Sequence, residues 1–98
     1  MRKIDLVNTI SEKTGIPKID VLVTIETMVS EIKGNLLRGE NIYIRGFGSF
    51  INKKRAAKIG RNIKTNTALH IPEHYIPAFK PSPEFVEEIK NNYKPQSE

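Results

Sequence analysis

Residues 42–53 read IYIRGFGSFINK, and their apolar side chains recur at every second position before a glycine-rich break. Ile42 and Ile44 alternate with polar or amphipathic residues, which is typical of a β-strand with one buried face. Residues 46–48 place a large aromatic side chain between two flexible glycines, as a turn does. Residues 49–53 return as a second strand. The pattern therefore predicts a β-hairpin.

Two helices are predicted before this hairpin. The apolar stripe of residues 6–10 indicates a short first helix, which Gly15 ends. The second helix is expected to begin at Pro17, because proline lacks the N–H that the first turn of a helix leaves unpaired. Gly39 fits the position just after its end. The apolar face of this second helix is expected to be buried and comprises Val21, Ile25, Met28, Val29, Ile32 and Leu36.

A long two-stranded ribbon is predicted after the hairpin. Residues from about 54 to 73 lack the pattern of a core element. The tip of the ribbon is expected near Lys64–Asn66, because asparagine tolerates the left-handed turn conformation. Pro72 and Pro77 cannot donate ladder hydrogen bonds, so they mark edges, bends or bulges in the returning strand.

A C-terminal helix completes an α+β fold. Ser82 is a good N-cap, and Pro83 suits the first helical position. We expect one domain over residues 1–93 and a flexible tail at residues 94–98.

The positive charge of the chain is concentrated in one segment. The 32 residues between Glu40 and Glu73 include no acid and carry +7, whereas the rest of the chain sums to −2. Such a field favours a polyanion partner, most often nucleic acid. A solvated basic loop is the alternative that charge alone leaves open. The basic residues of the segment are Arg45, Lys53, Lys54, Arg55, Lys58, Arg61 and Lys64.

Other classes of function find little support in the sequence. The chain has no cysteine, no apolar run long enough to cross a membrane and no secretory signal, so we expect a cytoplasmic protein. His70 and His74 are separated by Pro72, and no acid or cysteine completes a metal site with them. No nucleophile motif or phosphate loop is present. We therefore expect no enzyme, no cofactor and no small-molecule substrate.

The aromatic residues predict a dimer. If the ribbon projects, fewer than 80 residues remain to build a globule, and so small a unit has a marginal core. Phe47, Phe50 and Phe79 nevertheless require burial, which a core shared by two subunits provides. A two-fold dimer would place the two ribbons as symmetric jaws. The alternative is a monomer whose ribbon folds back on its own sheet. That arrangement gains little, because the acid-free segment that includes the ribbon carries seven positive charges.

Four motifs together resemble the HU/IHF family of bacterial nucleoid proteins. They are GFGSF at 46–50, RAAKIGRN at 55–62, Ile71-Pro72 and PAFKP at 77–81, and the similarity extends from residue 1 to about residue 91. The resemblance implies an intertwined dimer with a helical base, a sheet that saddles DNA and two β-arms in the minor groove. It also implies an architectural function, in which the protein condenses and bends nucleoid DNA without catalysis.

The expected DNA contacts follow from this resemblance and from the basic segment. Arginine and lysine on a narrow ribbon neutralise phosphates, and an apolar residue at its tip can insert between base steps as a wedge. Ile63 is the expected wedge. No helix carries the side chains of a major-groove reader, so low sequence specificity is expected. The expected DNA-binding residues are Lys3, Arg45, Gly46, Lys53, Lys54, Arg55, Lys58, Arg61, Asn62, Ile63, Lys64 and Lys80.

Several positions depart from the usual family pattern. Ile63 stands where the family usually has proline, and Asn66 stands where it usually has glycine. Pro83 and Val86 occupy positions that often carry DNA-contacting lysines, and two glutamates follow Val86. The departures in the third helix predict weaker contact with flanking DNA and a shorter footprint. A second interpretation is that the chain forms one half of a heterodimer, or acts mainly through protein partners.

Overall fold

Two packed helices form the base of the molecule, as predicted. The computed structural model describes residues 1–62, 64–65 and 67–96. Helix α1 spans Lys3–Thr14 and helix α2 spans Lys18–Leu37. Gly15 ends α1 with a left-handed φ of 77°, and its N–H donates to the Ser11 carbonyl oxygen at 2.9 Å. Pro17 is the N-cap of α2, one position before the first helical residue.

A three-stranded antiparallel sheet lies beside the helices. Strands β1 (Ile42–Ile44) and β2 (Gly48–Arg55) form the predicted hairpin, and β2 continues two residues beyond the predicted end. Strand β5 (His74–Pro81) pairs with the other edge of β2, so the order is β1-β2-β5.

The predicted ribbon is present as a separate two-stranded arm. It consists of strands β3 (Lys58–Asn62) and β4 (Thr67–Ile71), with a turn that includes Lys64 and Thr65. Two residues on each side, 56–57 and 72–73, connect the arm to the sheet. Neither strand gains a residue at this break, so the register of the arm continues that of the sheet. Pro72 has no N–H to donate, which is consistent with the break in the ladder.

Helix α3 spans Pro83–Asn92 and follows β5 directly. The Ser82 hydroxyl oxygen accepts a hydrogen bond from the Phe85 backbone N–H at 3.2 Å, so Ser82 is the expected N-cap. Across the described parts of the chain, no helix combines the length and the apolar character needed to cross a bilayer.

The turn between β1 and β2 requires both of its glycines. Gly46 has a φ of 79°, a left-handed conformation that other residues rarely adopt. Gly48 packs against β5 so closely that an added Cβ would lie 2.5 Å from the Lys80 carbonyl oxygen and 2.7 Å from the Phe79 ring. The close strand contact therefore leaves no space for a side chain at Gly48.

Within a single chain the predicted apolar face of α2 is only partly buried. Val7 and Val21 are the only buried apolar side chains among the described residues, at 1% and 4% exposure. Met28 and Val29 are exposed on α2, and Leu37 at its end is 88% exposed. The helices do carry the predicted apolar faces, but a single chain has no further element packed over them within its described residues.

The shape of the chain explains this exposure. The radius of gyration is 19.0 Å, against about 13 Å for a compact domain of this length. The accessible surface is 8652 Å², against about 5,700 Å² for a compact monomer of this mass. A chain with such an excess of surface, much of it apolar, requires a partner to complete its core.

Candidate nucleic-acid interface

The two faces of the three-stranded sheet differ in what they meet. Side chains alternate between the faces along each strand. Phe50, Asn52 and Lys54 share the face turned towards α2, which we call the helix face; the Asn52 amide donates to the Leu36 carbonyl oxygen at 2.8 Å. The opposite face, which we call the open face, carries Tyr43, Ser49, Lys53, Arg55, His74 and Lys80.

Three predicted DNA-binding cations lie on the open face. Lys80 of β5 is directly opposite Ser49, and Arg55 of β2 is directly opposite His74. Lys53 is exposed two pairs further along the same ladder, on the same face. The five strands, as the structure bounds them, contain no Asp or Glu. The open face is therefore positively charged and free of carboxylates.

Lys54 lies on the other side of the sheet. Alternation places it on the helix face, and its ammonium nitrogen lies 3.1 Å from the Glu73 carboxylate. Both side chains are more than half exposed, so the ion pair contributes little to stability. The structure thus separates Lys54 from Lys53 and Arg55, with which the sequence prediction had grouped it.

The arm continues the positive charge beyond the sheet. Lys58 is opposite Ile71, Arg61 is opposite Ala68, and both side chains are exposed. The odd spacing between Lys58 and Arg61 places them on opposite faces of the ladder, so the arm presents a cation on each side. Lys64 is exposed in the turn. Such an arm can approach phosphates on both walls of a groove.

Two further predicted contacts, Asn62 and Ile63, lie at or beyond the end of the described part of β3. Asn62 is the last residue of β3 and pairs with Thr67. The predicted wedge, Ile63, lies outside the described residues, and its role stays a prediction. Asn66, the expected turn residue, also lies outside them.

The remaining predicted contacts lie at the ends of the sheet and on α1. Arg45 and Gly46 are exposed in the turn after β1. A Cβ placed at Gly46 would lie 3.5 Å from the Glu84 carboxylate, so a negatively charged side chain of α3 lies close to this turn. Lys3 is engaged by Glu26 of α2, with 2.9 Å between the ammonium nitrogen and the carboxylate oxygen.

The predicted aromatic residues form one cluster. The ring centroid of Phe79 lies 4.9 Å from that of Phe47 and 5.1 Å from that of Phe50. Phe85 of α3 joins the cluster at 5.5 Å from Phe47. Phe79 remains 39% exposed and Phe47 is also exposed, so this cluster is not closed by its own chain.

Comparison with known proteins identifies the family to which this chain belongs. A family model described as bacterial DNA-binding protein matches residues 1–90. The chain belongs to the HU/IHF family of bacterial DNA-binding proteins. Members of this family are architectural proteins that bind double-stranded DNA and form dimers, which agrees with the open apolar cluster and the basic face described above.

Relatives from both branches of the HU/IHF family are similar to this chain. It is 39% identical over 95 residues to integration host factor subunit beta of Hahella chejuensis, covering 96% of this chain and 97% of that protein. It is 38% identical over 90 residues to DNA-binding protein HU of Thermotoga maritima, covering 92% of this chain and 100% of that protein. The heterodimer interpretation is thus not favoured over an HU-like one.

Solved structures of HU share the fold of this HU/IHF member. An Anabaena HU–DNA cocrystal structure matches with a TM-score of 0.86 and 32% identity, covering 91% of this chain and 97% of that one. HU from Thermotoga maritima matches with a TM-score of 0.64 and 27% identity, covering 91% and 98%. The predicted α+β fold is therefore confirmed.

Sequence reasoning missed part of the open face. Tyr43, Ser49 and His74 lie there beside the cations, although none was predicted as a contact. The alternation of β2 could have separated Lys54 from Arg55, because Lys54 has the parity of the apolar Phe50. The position of His74 required the register between β2 and β5, which the sequence alone does not provide.

Proposed function

We propose that a dimer of this chain wraps and bends double-stranded DNA with low sequence specificity. The open faces of the two sheets form the seat of the DNA, and the two arms follow its minor groove. The observation that carries this proposal is the acid-free basic surface formed by Lys53, Arg55 and Lys80 on the open face and by Lys58 and Arg61 on the arm. Phosphate contacts of this kind carry no sequence information directly.

The aromatic cluster has the complementary role of joining the subunits. Phe47, Phe50 and Phe79 are proposed to be covered by the second copy of the chain, with Phe85 beside them. The exposure of Phe47 and Phe79 within one chain and the mutual contact of the four rings support this role. The two-fold axis would then repeat every phosphate contact once in the dimer.

We further propose that the protein acts through binding alone, catalyses no reaction and associates with the nucleoid. Ile63 is proposed as the wedge that kinks the DNA. A shorter footprint is proposed because Pro83 and Val86 stand where family members often have lysines. The carboxylates of α3, with Glu84 close to the turn at Gly46, support it.

The salt dependence of binding to a random-sequence duplex tests this function. Each phosphate contact adds about 0.9 to the slope of log affinity against log salt, and we expect a total slope magnitude of at least about 4. Affinity should differ little between unrelated sequences of the same length. A slope near zero, or binding confined to one sequence, would contradict the proposal.

A further inference from the structure

We propose that His74 is a proton-linked DNA contact, so that this chain holds DNA more tightly as the pH falls. The inference rests on the proposed function and adds a residue that neither the charge pattern nor the motifs single out. It comes from the position of one imidazole on the open face and from the hydrogen bond that this imidazole makes.

The position is among the proposed phosphate contacts. His74 is the first residue of β5, is exposed, and lies directly opposite Arg55. Directly opposite residues of an antiparallel pair have Cβ atoms about 4.5–5.5 Å apart. A phosphate held by the Arg55 guanidinium is therefore also within reach of the His74 ring.

The hydrogen bond of His74 engages one ring nitrogen and leaves the other for the proposed DNA contact. Nδ1 lies 2.9 Å from the Pro72 carbonyl oxygen. A carbonyl oxygen only accepts, so Nδ1 carries a hydrogen and donates it. In the neutral ring Nε2 is then an acceptor, and it becomes a donor only when the ring gains a second proton.

This arrangement makes the contact depend on protonation. A phosphodiester oxygen only accepts hydrogen bonds, so the neutral ring presents its Nε2 lone pair to another acceptor. The protonated ring instead donates a charge-assisted hydrogen bond from Nε2. Binding of DNA through this atom therefore draws a proton from solution onto Nε2, and by reciprocity a lower pH strengthens the binding.

The charged groups nearest to His74 are the ones that a bound phosphate would also meet. Arg55 lies directly opposite, and Lys53 lies two pairs away on the same face of β2. Glu73 precedes His74, but its carboxylate is held by Lys54 on the helix face. A phosphate at this point of the open face would therefore meet Arg55, Lys53 and His74 together.

The other histidine, His70 of the arm, provides a matched control. His70 lies on β4 directly opposite the aliphatic Ile59; among the described pairs no cation is directly opposite it, and Arg61 lies two residues further along β3 on the same face. His70→Gln removes the same titratable ring four residues away. His74→Gln keeps a hydrogen-bond donor without the titration, whereas His74→Lys supplies a permanent positive charge at the proposed contact.

Binding of a random-sequence duplex, measured by fluorescence anisotropy at constant ionic strength between about pH 8 and pH 5.5, tests the inference. The wild-type affinity should rise by about 2- to 30-fold over this range, as expected for two exposed charge contacts in a dimer. His74→Gln should remove most of that rise, and His70→Gln should keep it. The DNA affinity of His74→Lys at about pH 8 should be similar to that of the wild type at about pH 5.5.

Calorimetric titration in two buffers of different ionisation enthalpy should show proton uptake by the wild type and reduced uptake by His74→Gln. A pH dependence that His74→Gln retains in full, or that only His70→Gln removes, overturns the inference. Salt-sensitive binding without any pH dependence also overturns it, while leaving the proposed function intact. Absence of salt-sensitive binding at every pH would reject the proposed function itself.

Discussion

Three consecutive basic residues test how the sheet presents its charge. Lys53 and Arg55 lie on the open face, whereas Lys54 lies on the helix face and pairs with Glu73 at 3.1 Å. Alanine at each position removes one charge from nearly the same point in the sequence. We expect Lys53→Ala and Arg55→Ala to weaken DNA binding and Lys54→Ala to leave it nearly unchanged.

The size of this effect follows from counterion release. Each phosphate contact contributes about 0.9 to the salt slope, and one substitution removes two symmetric contacts from a dimer. The slope magnitude should therefore fall by about 1.8 for Lys53→Ala or Arg55→Ala. Between about 50 and 200 mM salt, the affinity of either variant should then fall about 12-fold less than that of the wild type.

A salt series with a labelled random-sequence duplex measures these slopes. Lys54→Ala is the matched control, and its thermal unfolding should also be nearly normal, because the exposed ion pair with Glu73 contributes at most about 1 kcal/mol. If Lys54→Ala lowers the slope as much as Lys53→Ala does, our assignment of the two faces is wrong. If none of the three lowers it, the sheet does not contact phosphates.

Three further substitutions test the dimer core, the turn and the arm. Phe79→Ala should lower the free energy of unfolding by about 3–5 kcal/mol and give a melting temperature that depends on protein concentration. If sedimentation shows that the wild type is a well-folded monomer, the shared core is refuted. Gly48→Ala should lower the melting temperature, because the added Cβ would lie 2.5 Å from the Lys80 carbonyl oxygen. Gly60→Ala is the control and should leave the melting temperature unchanged, because no atom lies within 4 Å of its added Cβ. Equal melting temperatures of the two variants would contradict the proposed packing. Ile63→Ser should weaken ring closure of short DNA fragments and the preference for nicked duplex more than it weakens binding to straight duplex; unchanged ring closure would exclude the wedge.

The secondary structure was largely predictable because local signals coincide with it. Gly15 and Ser82 mark the end of α1 and the start of α3 through hydrogen bonds made within a few residues of themselves. The GFG turn combines a left-handed glycine with an aromatic side chain, and both features are visible in the sequence. Local chemistry of this kind does not depend on how distant parts of the chain pair.

The composition of the site was harder to predict because it depends on register. The run Lys53-Lys54-Arg55 is uniformly basic in sequence, yet the pleat of β2 divides it between two faces. Glu73 pairs with Lys54 only because two strands distant in sequence are antiparallel neighbours. The same long-range register places His74 opposite Arg55. Counting charges identified the basic segment, but only strand pairing shows which charges act together.

The incomplete core links the assembly of this protein to its binding of DNA. One chain buries only two apolar side chains within its described residues, so folding and pairing of subunits are expected to occur together. Because the two-fold axis repeats each arm, dissociation would halve the number of phosphate contacts and the salt slope with it. The fraction of DNA bound should therefore rise more steeply with protein concentration than it would for a dimer that is already fully formed. We therefore expect the exposed Phe47 and Phe79 to contribute to DNA affinity without touching DNA, because a joined dimer would keep two basic arms on the same duplex.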